Sequence, residues 1–406
     1  MGRQSRVSNV LVKGPMAPFA EAYRRALEER CYTPLSAVNL QRQVAHLSSW
    51  LDGQGIEVGQ LGVASIEAFL AFERSSGRDP SCLSRPGLVS LLGLLRDLGV
   101  VSAQAQPVLS PSEELIDGFG RYLVSERGLT TGTVGNYLDG ARWFVAGRDA
   151  GELRGVTSAE VTAAVLAKST TVSVSATQNY VASLRAFLRF CFIEGLVDYD
   201  ISQAALAITG RRRSELPQGI AKSDADALLA SCDRRTPIGR RNYALIIILL
   251  RLGLRRGEVA RLKLGDIDWR AGELVVAGKG GRLDRLPLPG DVGAAVAGYL
   301  KRGRPVSDRR EVFLRAKAPF EPIASGTVAS TVRRACRRAG VPEVGAHRLR
   351  HTAACDMVAA HVPLPQIAQV LRHSSLQSTA IYARVDLDRL RCLAQPWPLT
   401  TGQGSR

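Results

Sequence analysis

The C-terminal part of the chain collects residue types that handle phosphate groups and protons. His347, His351 and His373 fall within 27 residues, Arg350 lies among them, and Tyr382 follows His373 by nine residues. A guanidinium stays charged and can bind a phosphate with two parallel hydrogen bonds, whereas an imidazole exchanges protons near neutral pH. A phenol oxygen can attack phosphorus once its proton is removed. Together these side chains are suited to phosphoryl transfer.

Two further motifs lie upstream, and all of them together resemble the signature of the tyrosine recombinase (phage integrase) family. Gly253–Glu258 reads GLRRGE, and the turn-like segment Gly278–Gly281 holds one of the seven lysines. The family pattern is an Arg in a GLR-x-x-E block, a Lys in a β-turn, H-x-x-R, a later His or Trp, and a Tyr nine residues beyond it. The resemblance covers about residues 218–390. The matching residues are Arg255, Lys279, His347, Arg350, His373 and Tyr382.

The resemblance implies an enzyme that breaks and rejoins DNA strands without a metal, ATP or another cofactor. Tyr382 would attack a phosphodiester and form a 3′-phosphotyrosine, releasing a 5′ hydroxyl. Because the covalent link keeps the bond energy, attack by a different 5′ hydroxyl would complete strand exchange. A tyrosine hydroxyl has an ordinary pKa near ~10, so it needs a base to react at neutral pH.

The resemblance also assigns the remaining roles. Arg255 and Arg350 would neutralise the phosphate, as a metal ion does in other enzymes. His347 would be the general base, and it lies one helical turn from Arg350, so both can face one phosphate. His373 would hydrogen-bond the phosphate, and Lys279 would protonate the leaving 5′ oxygen as general acid.

Two residues are expected to support this set, and two positions depart from the family pattern. Glu258 would orient a catalytic arginine, and His351 would support its neighbours without reacting. The family usually has Gly where Arg372 stands, and Gly is also common where Ala360-His361 stands. A side chain at such a helix end costs roughly 1 kcal/mol if φ is positive. Neither departure removes a reacting group.

Composition favours a polyanionic partner. The net charge is +17, and residues 301–350 alone hold thirteen Lys or Arg against four Asp or Glu. Such a surplus favours nucleic acid first and a membrane surface second. The seven cysteines form no CxxC pair, which argues against a disulfide framework or a zinc site. No apolar run is long enough to span a membrane, so we expect a soluble cytoplasmic protein acting at the nucleoid.

Two arginine groups are candidate contacts to double-stranded DNA. Four arginines at helical spacing would form one basic face, and three successive arginines lie in a linker between two domains. Such contacts to phosphate position DNA but do not read its sequence. The helical face consists of Arg333, Arg334, Arg337 and Arg338, and the linker group of Arg211, Arg212 and Arg213.

The pattern predicts a mostly helical α+β protein of three domains. Small, polar linkers at Ser102–Pro111 and Thr209–Gly219 divide the chain into residues 1–104, 112–208 and 218–406. The first two domains show helical periodicity, and the second resembles the family's DNA-binding core domain by position. The polar pairs Thr157–Ser158 and Ser223–Asp224 are candidate N-caps of helices. The third is the catalytic domain, with a small antiparallel sheet predicted from short alternating runs. These runs are Ile267–Trp269, Glu273–Ala277 and Arg282–Leu288.

The family resemblance further implies four protomers on two DNA sites, with a C-terminal segment packed on a neighbour. Leu387, Leu390 and Leu393 have the helical spacing for that contact. Accessory proteins, a mobile element and a role for residues 1–104 stay open at this point. Two other functions remain as alternatives: an inactive DNA-binding or architectural relative, and a type IB topoisomerase that relaxes supercoils without a defined site.

Overall fold

A computed structural model of the chain describes residues 10–77, 83–102, 110–148, 150–209, 219–278 and 282–372. Within these residues the protein has fifteen α-helices and one three-stranded antiparallel sheet. The predicted fold class, mostly helical with a small antiparallel sheet, is therefore confirmed. No helix in the described ranges is long and apolar enough to cross a membrane.

The N-terminal helices pack around a core of their own. Leu47, Leu51 and Phe69 lie fully buried at its centre. The hydroxyl of Thr33 accepts a hydrogen bond from the amide of Ser36 and so caps the longest of these helices at its N-terminus. The helices are α1 (Ala20–Glu29), α2 (Pro34–Gln54), α3 (Val63–Ser75) and α4 (Arg85–Asp97).

The middle helices enclose a second core built on aromatic side chains. Phe187 packs edge-on against both Phe119 and Phe144, with ring centroids 5.2 and 6.3 Å away. Thr157 is the N-cap that the sequence predicted, and it forms a capping box with Glu160. The helices are α5 (Pro111–Ser125), α6 (Thr131–Val145), α7 (Ser158–Thr171) and α8 (Val174–Ile193).

The C-terminal region surrounds one almost wholly buried helix, α10 (Pro237–Leu252), whose run of aliphatic residues packs against its neighbours. The other helices are α9 (Lys222–Ala230), α11 (Arg256–Arg261), α12 (Gly290–Arg302), α13 (Ser325–Ala339), α14 (Ala346–Ala359) and α15 (Leu364–Leu371). A prediction that Ser223 or Asp224 caps α9 was wrong. The helix begins at Lys222 after Ala221, so both polar residues lie in its first turn.

The small sheet has the three predicted strands, of which the middle one keeps the predicted bounds and the outer two are shorter. They are β1 (Ile267–Asp268), β2 (Glu273–Ala277) and β3 (Leu283–Pro287), in the order β1-β2-β3. Leu274 pairs with both Ile267 and Leu286, and the amide of Gly278 donates to the carbonyl of Arg282 beyond the last pair. The intervening residues, which include Lys279, lie outside the described part of the chain.

The described residues form two compact units. Residues 110–209 belong to one unit, and residues 10–101 belong with 219–372 to the other. The second unit holds three separate clusters of buried apolar residues: one in the N-terminal helices, one around α10, and a small one formed by α14 and α15. The boundaries of the three predicted domains remain predictions, because most residues of both linkers lie outside the described ranges.

Candidate active site

Arg350 is held by the C-terminal ends of two helices. Its guanidinium is buried, and Nη1 donates to the carbonyl oxygen of Gly253 at 2.5 Å while Nη2 donates to the carbonyl oxygen of Leu371. Those carbonyls end α10 and α15, where the last C=O groups of a helix lack an intrahelical partner. The negative end of each helix dipole also favours a cation there. Two helix ends therefore fix Arg350 in one orientation.

Gly253 is required at this junction for two reasons. It ends α10 with φ +57°, which only glycine adopts freely. A Cβ at this position would lie 2.7 Å from Cδ2 of Leu371 and 3.6 Å from Cγ of Arg350. The close approach of α10, α14 and α15 thus depends on the missing side chain. This glycine opens the GLR motif, so its conformation also sets where Arg255 begins.

Arg255 stands at the N-terminus of α11 and is oriented by Glu258. Nη1 of Arg255 donates to Oε1 of Glu258 at 2.8 Å, and the amide of Arg255 donates to Oε2 at 2.7 Å. Nη2 of Arg255 donates to the carbonyl oxygen of Arg372 at 3.2 Å. The Arg255 side chain is 42% exposed, while that of Glu258 is 3% exposed. Glu258 thus anchors both the guanidinium and the backbone amide of Arg255.

Arg372 is a member of this cluster that sequence reasoning missed. Its side chain is only 2% exposed, and Nη2 donates to Oε2 of Glu258 at 2.7 Å. Nη1 donates to the carbonyl oxygen of Val370 at 2.8 Å. Burial by itself would raise the pKa of Glu258, but the charge of Arg372, followed by hydrogen bonds from Arg255, outweighs burial and lowers it. Glu258 is therefore an ionised, buried carboxylate shared by two guanidinium groups.

The two departures from the family pattern fall at left-handed helix ends. His361 has φ +57° and Arg372 has φ +54°. The glycines expected there would have suited this backbone, so the chain accepts a conformational cost at both positions. At Arg372 the side chain gains a buried ion pair. The one available sequence signal was a charged residue at a position that favours glycine, beside a candidate catalytic histidine.

His347 and His351 lie one turn apart on α14 with their rings in contact. The centroids are 4.4 Å apart and the rings are nearly perpendicular. Partial burial, then the charges of Arg350, Arg255 and Arg256, lower the pKa of His347. The imidazole of His347 therefore stays neutral at physiological pH, and because part of it is exposed to solvent it can accept a proton. This state is the one that a general base requires.

His351 should make folding stability depend on pH. Burial, followed by repulsion from His347 and Arg348, lowers its pKa from 6.5 to about 4. Because the unfolded chain takes up this proton more readily, stability is complete above pH 6.5 and declines as the pH falls toward 4. After allowance for solvent screening, we expect a loss of about 1–2 kcal/mol.

Urea unfolding of the wild type and of His351→Gln across this pH range would measure the effect. Carboxylates titrate in both proteins, so the difference between the two curves isolates the histidine. The free energy of unfolding of the wild type should fall relative to that of His351→Gln as the pH is lowered. Parallel curves would show that His351 is protonated as easily in the folded chain as in the unfolded one.

The structure brings together five predicted site residues in its described part: Arg255, Glu258, His347, Arg350 and His351. Arg255 and Arg350 both lie close enough to His347 to lower its pKa, and His351 contacts the same ring. Six other predicted site residues fall outside the described ranges. These are Lys279, His373 and Tyr382, together with the linker residues Arg211, Arg212 and Arg213.

The predicted basic face on α13 is exposed. Arg333, Arg334, Arg337 and Arg338 all point to solvent, whereas the opposite face is buried in the core. Nε of Arg337 pairs with Glu343 at 2.8 Å, and Nε of Arg338 donates to the carbonyl oxygen of Ser231 at 3.4 Å. Arg334 and Arg338 also line a cleft with Tyr32 and Ser84 of the N-terminal helices. The face therefore borders the N-terminal region.

Known proteins are similar in sequence over most of the chain. The phage integrase family model matches residues 218–389. A Sinorhizobium fredii protein named "Putative integrase/recombinase y4rA" is 37% identical over 394 residues, which cover 95% of each chain. Tyrosine recombinase XerD of Listeria monocytogenes is 27% identical over 289 residues, covering 68% of this chain and 96% of XerD.

Solved structures agree on the fold. A lambda integrase (75–356) dimer bound to a COC′ core site matches with a TM-score of 0.53 at 20% identity, covering 68% of this chain and 96% of that one. The Tn1549 transposon integrase, in complex with a circular intermediate DNA, gives 0.52 at 16% identity, covering 68% and 99%. The chain belongs to the phage integrase family of tyrosine site-specific recombinases, enzymes that cleave and rejoin DNA.

Proposed function

We propose that the chain recombines specific DNA sites through a 3′-phosphotyrosine formed by Tyr382. The observation that carries this proposal is the pair of oriented arginines beside a neutral histidine. Arg350 is fixed by two helix ends, Arg255 is fixed by Glu258, and both lie close to His347. Such preorganised cations stabilise charge that develops on a phosphate without having to reorganise during the reaction.

In the proposed cleavage step, the phenol oxygen of Tyr382 forms a bond to phosphorus. His347 accepts the phenol proton, and the bond from phosphorus to the 5′ oxygen breaks. Lys279 donates a proton to that leaving oxygen, and His373 holds a nonbridging oxygen. The reverse sequence, with a 5′ hydroxyl from the other DNA as nucleophile, restores the phosphodiester and frees the tyrosine.

The proposed partner is double-stranded DNA, bound in part by the α13 face and by Arg211–Arg213. The four exposed arginines of α13 support phosphate contacts, which would make binding strongly dependent on salt. The lambda integrase structure is a dimer bound to a core site, and the Tn1549 integrase structure contains a circular intermediate DNA. We extend the proposal to a tetramer on two sites, acting on cytoplasmic DNA, with accessory proteins as further candidates.

The N-terminal residues 1–104 fit an enzyme encoded by a mobile element. The similarity to y4rA extends across nearly the whole chain, N-terminal region included, whereas XerD matches a shorter part. The cleft shared by Tyr32, Ser84 and two arginines of α13 places this region beside the proposed DNA face. We therefore propose that residues 1–104 take part in binding the recombination site.

The test is to identify the residue that becomes linked to DNA. Duplexes that tile the DNA flanking the gene, each nicked so that the cleaved fragment diffuses away, would be mixed with the full chain. We expect an SDS-resistant adduct. Trypsin should release it on the peptide His373–Arg384, which contains a single tyrosine. DNA attached to any other peptide would refute the assignment, and bound DNA without any adduct would favour an inactive DNA-binding protein.

A further inference from the structure

The buried guanidinium of Arg372 has no role in the proposed cleavage step. It lies at the C-terminus of α15 in a left-handed conformation that favours glycine, and its side chain is 2% exposed. An arginine at such a site bears the strain of the backbone and the cost of removing its charge from water. Its polar contacts to Glu258 and to Val370 offset part of that cost. The question is what the added charge does.

Glu258 is the group through which Arg372 acts. One carboxylate oxygen, Oε1, accepts from the Arg255 guanidinium, and the other, Oε2, accepts from the Arg255 amide and from Arg372. If Arg372 were absent, the buried carboxylate would pair with Arg255 alone. The two charges would then cancel each other as seen from a nearby phosphate, and the low local dielectric would strengthen this cancellation.

With Arg372 present, the balance of charge differs. One carboxylate is shared between two guanidinium groups, and Arg350 lies close by on the Leu371 carbonyl. Because Arg372 is buried while Arg255 is partly exposed, the carboxylate is neutralised from the protein side. The partly exposed guanidinium of Arg255 then keeps more of its positive charge on the solvent side. A phosphate that binds there meets a larger positive potential.

We propose that Arg372 is a positioning residue that neutralises Glu258, so that the charge of Arg255 remains available to the scissile phosphate. The inference rests on the proposed role of Arg255. Arg372 does not touch the substrate in this scheme. It lets Glu258 orient Arg255 through hydrogen bonds without cancelling its charge. The backbone carbonyl of Arg372, which accepts from Nη2 of Arg255, adds to the same orientation.

Two variants separate this electrostatic role from a structural one. Arg372→Gly removes the charge and supplies the residue best suited to φ +54°. We expect it to slow adduct formation on the nicked duplexes roughly tenfold. The double variant Glu258→Gln/Arg372→Gly removes both charges and keeps an amide oxygen for Arg255. It should recover the rate to within about threefold of the wild type.

His361→Gly is the matched control. It makes the same change, from a side chain to glycine at a left-handed helix end, at φ +57° on α14. Its rate should equal that of the wild type. An unchanged rate in Arg372→Gly would overturn the proposal, because the charge would then have no effect. A double variant as slow as Arg372→Gly would also overturn it, because a merely structural arginine would produce that result.

A second readout does not depend on Tyr382. The pKa of His347, measured by NMR on the full chain and assigned with His347→Gln, reports the local potential. Without Arg372, Glu258 offsets the charge of Arg255, so the pKa of His347 should rise in Arg372→Gly and fall again in the double variant. A constant pKa in both variants would refute the charge argument. If the pKa of His347 shifts in this way but the wild type forms no adduct, the role of Arg372 stands and the proposed cleavage by Tyr382 is refuted.

Discussion

Tyr382→Phe is expected to bind DNA as the wild type does and to form no covalent adduct. The substitution removes one oxygen atom, the proposed nucleophile, and leaves the aromatic ring in place. Because a nucleophile has no substitute among the proposed groups, the loss of cleavage should be at least about 10³-fold. Gel shifts on the nicked duplexes would measure binding, and denaturing gels would measure the adduct.

Tyr199→Phe is the matched control for this experiment. Tyr199 is 74% exposed and lies in the compact unit of residues 110–209, which holds neither Arg255 nor Arg350, so removal of its hydroxyl should leave cleavage unchanged. If Tyr382→Phe still formed an adduct at the wild-type rate, another residue would be the nucleophile. In that case the match to the family pattern at this position would be misleading.

Arg350→Lys is expected to slow cleavage by about 10²-fold or more, although it keeps the positive charge. The guanidinium spans two helix ends, with Nη1 on the Gly253 carbonyl and Nη2 on the Leu371 carbonyl. An ammonium is a compact donor and cannot maintain both contacts while it also faces a phosphate. Single-turnover adduct formation at saturating protein would measure the loss, and DNA affinity should change much less.

The neighbouring Arg348→Lys provides the comparison, because it makes the same chemical change two residues away on α14. We expect cleavage at close to the wild-type rate. Far-UV circular dichroism and urea unfolding would show whether Arg350→Lys still folds. A folded Arg350→Lys protein that cleaves within a few fold of the wild type would mean that Arg350 contributes charge alone, and the two-carbonyl geometry would lose its significance.

Local sequence patterns predicted the elements that depend on local physics. Alternation and glycine-rich turns indicated all three strands, and the polar pair Thr157–Ser158 indicated the start of α7. His347 and Arg350 share a helix because they are three residues apart. The prediction of the α9 cap was wrong because two adjacent polar residues gave no information on which backbone position ends the preceding loop.

Two contacts that orient the site could not be predicted, because each joins residues that are far apart in the chain. Arg350 and Gly253 are 97 residues apart, and Arg372 and Glu258 are 114 apart. A carbonyl oxygen carries no sequence signal, since every residue has one. The charge at Arg372 was visible, but only the fold shows that this side chain turns inward to a buried carboxylate instead of outward to solvent.

The grip of two helix ends on Arg350 has a consequence for synthesis of the protein. The Gly253 carbonyl is synthesised before Arg350, whereas the Leu371 carbonyl follows Arg350 by 21 residues. Until α15 has emerged and docked, the guanidinium lacks one of its two anchors. If the chain cleaves DNA as proposed, strand breakage therefore has to wait until α15 docks and fixes Arg350.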